Sequence, residues 1–392
     1  SAVGNATKPA STGELLKGVA PEAQLMFMRV FSDKKGMTEQ GFIVAKAVED
    51  AVKLGADVIN MSFGTDGEYY GSNDLFKKTI EKAIGKGVIC VNACGNAQTS
   101  VSSDASSNSI QNLFDLKDTS AVDITSLDSF SVASMDNLTN NNYDRDDFFP
   151  FSNNAGSNSK NENMSSFSSW GPSPDLELKP EITAPGGNIK STVYNDSYET
   201  ESGTSMASPN VAGGCALILQ SLKHKNIHYS QDINKVDIIK CLMMNTAKVL
   251  TNSSTGVIYS PRQQGAGLMQ LEKAVNNNVI VTDDRKKPYI ALKNIHSNSV
   301  SFEMTLTNYG KEDVSYTLKD ENLYTEVCEN NISMEKEISG AKISFNESNI
   351  KVKAGETLTV TGTLSLPDNF QKQNFVEGFI SFKSSDEKNP DL

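Results

Sequence analysis

Residues 56–96 read ADVINMSFGTDGEYYGSNDLFKKTIEKAIGKGVICVNACGN. Ala56–Met61 is a short apolar run rich in branched residues, which predicts a strand. In Leu75–Ile84, Phe76, Ile80, Ala83 and Ile84 fall on one side of a helix, and Gly85 and Gly87 close it. Val88–Ala93 is then a second strand. Working upstream, Thr38–Leu54 carries Ile43, Ala47, Ala51 and Leu54 at helical spacing before Gly55, and Gln24–Val30 (QLMFMRV) is another strand candidate. Strands alternating with helices of these lengths imply an α/β parallel sheet with right-handed crossovers and helices on both faces. Functional groups in such sheets lie beyond the carboxyl ends of the strands. Here those ends are Ser62-Phe63-Gly64 and Cys94-Gly95-Asn96.

Downstream, Ser129–Ala133 reads as one more short strand, and the Ser- and Asn-rich stretch Asn137–Asn163 reads as loop or linker. After Asp283 the pattern changes. Val300–Thr307, Ser315–Leu318, Leu358–Leu364 and Phe375–Phe382 alternate apolar and polar residues between turn signals, which predicts an antiparallel β-sandwich. The boundary is expected near Asn278–Lys287, dividing the chain into 1–282 and 283–392. A length of 392 residues agrees with two cores rather than one.

The net charge of −12 opposes phosphate backbones and anionic lipid, so neither nucleic acid nor membrane is an expected partner. No apolar run approaches the ~18–20 residues of a membrane span. The best candidate, Val211–Leu219, is interrupted by Gly213 and Gly214. Five cysteines, odd in number and scattered through apolar runs, read as free and buried rather than as a disulfide framework. The chain starts at Ser1 without a signal-peptide pattern, so a processed protein or an excerpt is expected.

The chemistry concentrates in Glu201–Leu219, ESGTSMASPNVAGGCALIL. A serine hydroxyl attacks a carbonyl only when a base takes its proton and the developing oxyanion is stabilised. Ser205 at the first turn of a buried helix has a backbone N–H that is one of the helix's unpaired donors, at the positive end of its dipole. Gly203, Ala207 and Ser208 are small enough for a substrate backbone to come close, and Pro209 suits a first turn.

Gly203-Thr204-Ser205-Met206-Ala207-Ser208-Pro209 resembles, position by position, the serine motif of the subtilases, the subtilisin-like serine peptidases. Two further blocks match in order. Val58-Ile59-Asn60-Met61-Ser62-Phe63-Gly64 resembles the family's substrate-pairing strand, and Asn92-Ala93-Cys94-Gly95-Asn96 resembles the block whose asparagine completes the oxyanion hole. The resemblance implies a serine endopeptidase with Ser205 as nucleophile and with Asn96 beside the Ser205 N–H as oxyanion donors. It also implies substrate contacts at Ser62, Phe63, Gly64, Ala93, Cys94, Gly95 and Thr204. For Asn96 the competing reading is a turn residue, and for Cys94 a small buried filler.

Gly18–Gln24, Phe167–Gly171, Lys179–Gly186 and Ser260–Gly267 resemble the cell-envelope proteinases, a group that includes the lactococcal proteinases and the streptococcal complement C5a peptidase. This implies a fibronectin type III-like sandwich after the catalytic domain, extracellular protein substrates, and a secreted or cell-wall-attached location. The family often inserts a protease-associated domain between Ser131–Ser134 and Phe167–Gly171, where only a short polar stretch stands here.

A subtilase triad runs Asp, His, Ser along the chain. No Asp or His precedes Gly18, and all three histidines, His224, His228 and His296, follow Ser205. The expected partner is therefore an N-terminal segment or chain carrying the Asp and His, either cleaved from this one or encoded before Ser1. The alternative is a catalytically inactive subtilase scaffold used for binding or adhesion. His224 and His228 read as a solvated helix end. No cofactor is required. Calcium stabilises many subtilases, but Asp144–Asp147 and Asp283-Asp284 lack the spaced oxygen ligands of a calcium loop and read as solvated surface. The Asn-x-Ser/Thr triplets, one of them at Asn60 in a predicted buried strand, follow from composition rather than glycosylation.

Overall fold

A computed structural model describes residues 2–4, 17–31, 40–63, 74–96, 129–136, 162–173, 175–195, 197–225, 233–329, 332–370, 374–386 and 388–392. Its first half is organised by four parallel strands, β1 (Val58–Met61), β2 (Ile89–Ala93), β3 (Phe130–Asp136) and β4 (Ile182–Gly187), hydrogen bonded in that order. β2 is wholly buried and β3 is buried up to Asp136, with Asn92, Ser131 and Ser134 among their apolar residues. Helix α2 (Asp74–Gly85) joins β1 to β2 and buries Phe76, Ile80, Ala83 and Ile84, the face its spacing predicts. Helix α1 (Gln40–Lys53) is also present, but it buries Val44, Ala45, Val48 and Ala51, while Leu54 is left exposed beyond its end. The expected face was about one position out of phase.

The long helix α3 (Thr204–Lys225) crosses the whole sheet, burying Ala207, Val211, Cys215 and Ile218 against it. Asn60 and Ser62 of the β1 end both hydrogen bond to Ser208 of α3. Met61, between them, therefore points to the opposite face, and it is buried there too. Both faces of the sheet are covered. Helix α4 (Lys235–Asn245) joins the same core through Val236, Ile239, Leu242 and Met243.

Two expectations fail. Gln24–Val30 forms no ladder, and Leu25, Met26 and Phe27 are exposed. A β-prone run becomes a strand only where an edge accepts its backbone. Phe375–Phe382 is extended but makes a single bridge, Tyr324 to Glu377, before a two-residue strand. Asn137–Asn161 lies outside the described residues, as do Gly64, His228 and Asp144–Asp147.

The second half is an antiparallel sandwich. With β5 (Ile189–Val193) and β6 (Ser197–Glu201) forming a separate hairpin, its strands are β7 (Val279–Thr282), β8 (Ser299–Asn308), β9 (Val314–Thr317), β10 (Glu321–Glu329), β11 (Ile332–Phe345), β12 (Asn349–Val352), β13 (Thr357–Ser365) and β14 (Lys383–Ser384). One sheet runs β10-β11-β13-β8-β7 and the other β12-β9-β14. Strand β7 belongs to both halves. It pairs with β8, yet its alternation sends Ile280 into the first core and Val279 and Val281 into the second. The division expected between 282 and 283 thus falls at the end of a shared strand.

Candidate active site

Three carboxyl-terminal strand ends and the head of α3 meet at one edge of the sheet. Gly186 of β4 accepts a 2.9 Å hydrogen bond from the Gly203 N–H. A side chain at Gly186 would lie 2.5 Å from the Gly203 oxygen, 2.6 Å from Ser134 Oγ and 2.9 Å from Ala207 Cβ. Only glycine lets the strand and the helix head come this close. The Gly203 carbonyl in turn accepts from the Met206 N–H at 2.9 Å, so the chain enters α3 with Ser205 in its first turn.

Asn96, at the end of β2, reaches across to this helix. Its Oδ1 accepts from the Thr204 backbone N–H at 2.9 Å and from Thr204 Oγ1 at 3.0 Å, and the Gly95 N–H donates to Thr204 Oγ1 at 3.2 Å. The carbonyl side of the amide is therefore occupied, and it caps an otherwise orphaned helix N–H. The amide nitrogen is turned the other way. An ideal Cβ on Gly203 would lie 3.4 Å from Asn96 Nδ2 and 3.6 Å from the Ser205 nitrogen. One methyl-sized position thus borders both nitrogens, with Met206 Sδ beside it at 3.5 Å. Ser205 itself is half-buried. Its hydroxyl makes no hydrogen bond among the described residues.

One turn further along α3, Ser208 Oγ donates to Asn60 Oδ1 at 2.9 Å. The Asn60 amide donates to Ser62 Oγ at 2.9 Å, and Ser62 Oγ lies 3.0 Å from Ser208 Oγ. This ring fixes the end of β1 against the serine helix. Asn60, expected in a buried strand, is exposed at the open side of β1. Phe63 meets Phe31 edge-on at 5.2 Å between ring centroids. Pro209 stands in the second turn of α3 rather than the first, so the Ser205 carbonyl lacks the N–H that residue 209 would ordinarily supply.

Three other sequence candidates occupy different positions from those expected of substrate contacts. Cys94 is fully buried, with its thiol 3.6 Å from Ser168 Oγ and 3.5 Å from the Ser169 carbonyl, which is the filler's role. Thr204 is fully buried and acts on Asn96. Ala93 is buried inside β2. Sequence reasoning did not find the Asn60–Ser62–Ser208 ring or the hold of Thr204 on Asn96. Each joins residues more than 100 positions apart.

The sequence pattern of the Subtilase family matches residues 2–267, and that of an Fn3-like domain matches residues 290–392. The chain belongs to the subtilase family. This subtilase is 30% identical to a PII-type proteinase of Lactococcus lactis subsp. cremoris over 518 positions, covering 94% of this chain and 27% of that protein. It is 33% identical to a C5a peptidase of Streptococcus pyogenes serotype M18 over 240 positions, covering 57% of this chain and 20% of that protein. It thus spans about a quarter of the lactococcal relative's length. Among solved structures, the patellamide maturation protease PatA aligns with 67% of this chain and 76% of its own, at 20% identity and a TM-score of 0.47.

His224 is far from the serine. It is in the last turn of α3, 19 residues beyond Ser205 and so roughly 28 Å away at ~1.5 Å per residue. His296 lies between β7 and β8. Among the described residues, no cluster of His, Cys, Asp and Glu has the form of a metal site, and no helix is long and apolar enough to cross a membrane. The Asp283 carboxylate is taken up internally, accepting from the Arg285 and Lys287 backbone N–H groups at 2.9 and 2.8 Å and from Arg285 Nε at 2.8 Å.

Proposed function

We propose that this subtilase is the nucleophile-bearing part of an endopeptidase acting on extracellular proteins. Ser205 Oγ would attack the scissile carbonyl carbon, and the carbonyl oxygen would become an oxyanion held by the Ser205 N–H and Asn96 Nδ2. Collapse of that intermediate expels the amine and leaves an acyl-enzyme ester on Ser205. Water then hydrolyses the ester through a second tetrahedral intermediate. The space bordered by Asn96 Nδ2 and the Ser205 N–H is the observation that carries this reading.

The base that takes the Ser205 proton, and the carboxylate that orients it, are assigned to a segment bearing the Asp and His. An extended substrate would run beside Ser62, Phe63 and Gly95. Thr204 would act as a positioning residue for Asn96 rather than as a contact. The sandwich, taken as 283–392, would buttress the catalytic unit, and the whole protein would be secreted or attached to the cell wall. Metal is not assigned a catalytic part.

A fluorophosphonate probe tests this. The chain assembled with the Asp- and His-bearing segment is expected to be labelled on Ser205, and the Ser205→Ala assembly is not. An assembly that folds but stays unlabelled would establish the inactive-scaffold reading instead.

A further inference from the structure

Arg262 sits in a one-turn helix, α5 (Pro261–Gln264), and is 4% exposed. Its guanidinium leaves the catalytic unit to meet the sandwich. Nε donates to Glu377 Oε1 at 2.6 Å, and Nη2 donates to Glu326 Oε2 at 2.9 Å and to Glu377 Oε2 at 3.3 Å. Ser260 Oγ adds a 2.8 Å hydrogen bond to Glu377. The guanidinium also lies 4.0 Å from the Phe375 ring centroid and 5.9 Å from that of Trp170. This is a desolvated tie between the two halves.

A third carboxyl makes the cluster unusual. Glu335 of β11 is the direct cross-strand partner of Glu326 of β10. It is 8% exposed, and neither of its side-chain oxygens has a hydrogen-bond partner among the described residues. Like charges opposite each other across a ladder repel, and a buried unpaired carboxylate is costly. The charged groups facing it from packed elements are Arg262, Glu326 and Glu377. On its own strand, Glu337 is opposite Tyr324. With all three carboxyls ionised, one guanidinium would face three negative charges. With Glu335 protonated it faces two, and both are already hydrogen bonded to it.

We propose that Glu335 is the proton-binding element of a charge lock between the catalytic unit and the sandwich, closed while its carboxyl holds a proton and weakened when it ionises. Burial, and then the charge of Glu377, push its pKa up to about 8, although Arg262 works the other way. A carboxyl whose folded pKa exceeds its unfolded value stabilises the fold fully below the unfolded value. That contribution is lost as pH rises through the folded value. The lock therefore tightens in acid and loosens in mild alkali. It does not depend on the catalytic reading of Ser205.

Trp170 is the only tryptophan in the chain and touches this cluster, so its fluorescence reports on it. The emission of the 392-residue chain is expected to change with a midpoint near pH 8. Glu335→Gln, which keeps the shape of the protonated form, is expected to abolish that transition and to hold its melting temperature where the wild type's falls. A wild-type emission that stays flat from pH 6 to 10, or a transition that survives in Glu335→Gln, would overturn the proposal. The first of these results needs no variant to fold.

Discussion

Replacing Asn96 by Ala or by Asp separates two things its side chain does. Oδ1 caps α3 by accepting from the Thr204 N–H and Oγ1 at 2.9 and 3.0 Å, while Nδ2 faces the space beside the Ser205 N–H. Ala removes both. Loss of a capping acceptor costs ~1 kcal/mol, and loss of one oxyanion donor in a subtilisin costs ~10²–10³ in kcat, or ~2.7–4 kcal/mol. Asp keeps the acceptor and adds an anion at a helix N-terminus, worth ~0.3–1 kcal/mol in stability. It has no N–H to offer and places negative charge where the oxyanion must form. Asn96→Asp is therefore expected to melt at or above the wild-type temperature, yet to turn over at least ~10²-fold more slowly. Asn96→Ala should lose both stability and turnover. Calorimetry on each variant and kcat for a chromogenic peptide, with the Asp- and His-bearing segment present, read the two effects independently. An Asn96→Asp enzyme within threefold of wild type would refute the assignment of Nδ2 as an oxyanion donor.

Gly203→Ala places its methyl in ordinary contact with both donors, at 3.4 and 3.6 Å, so the fold should be retained. Peptide turnover should nonetheless drop at least ~10-fold, because the space for a carbonyl oxygen is filled; unchanged kcat would show that the oxyanion sits elsewhere. Gly186→Ala drives a methyl to 2.5 Å from the Gly203 oxygen, an overpacking worth ~1–3 kcal/mol that should appear as a lower denaturant midpoint. Glu181 is buried between Lys179 at 2.9 Å and Lys240 at 2.7 Å. Burial pushes its carboxyl up, but the two ammonium charges outweigh this and hold it below the usual range. Stability from that group is thus present above the unfolded carboxylate pKa and lost as pH falls through the folded one. Glu181→Gln should cost ~3–5 kcal/mol at pH 7 by stranding two buried lysines, with the gap to wild type closing in acid.

The parallel sheet was legible because its signals are local. In β1, α2 and β2 the apolar period and the closing glycines agree with the tertiary arrangement, so pattern and packing point the same way. Strands β10 and β11 were not legible for the opposite reason. Glu326 and Glu335 face the buried Arg262 of the catalytic unit, so part of the inward face is charged and the alternation that marks a sandwich strand is erased. Phe375–Phe382 has that alternation, but Glu377 is held by Arg262 and Ser260 while its backbone pairs only with Tyr324. In each case the deciding interaction crosses between the two halves, and the sequence of neither half records it.

The same distinction runs through the active site. Ser205 and Asn96 stand out in the sequence because each lies in a short block that resembles a subtilase motif: a hydroxyl at a helix head, an amide after a glycine at a strand end. Thr204 and Cys94 sit inside the same blocks, Thr204 expected as a substrate contact and Cys94 as either a contact or a buried filler, and both side chains are fully buried. A motif constrains residue identity for two reasons, contact with the reacting atoms and support of the groups that make that contact, and adjacency in sequence does not distinguish them. Thr204 supports Asn96 through its backbone N–H as well as its hydroxyl, so Thr204→Val would leave Oδ1 one of its two donors while depriving the Gly95 N–H of its acceptor. A smaller loss of turnover is the consequence expected of a positioning residue, against the at least ~10²-fold loss expected on removing the proposed donor at Asn96.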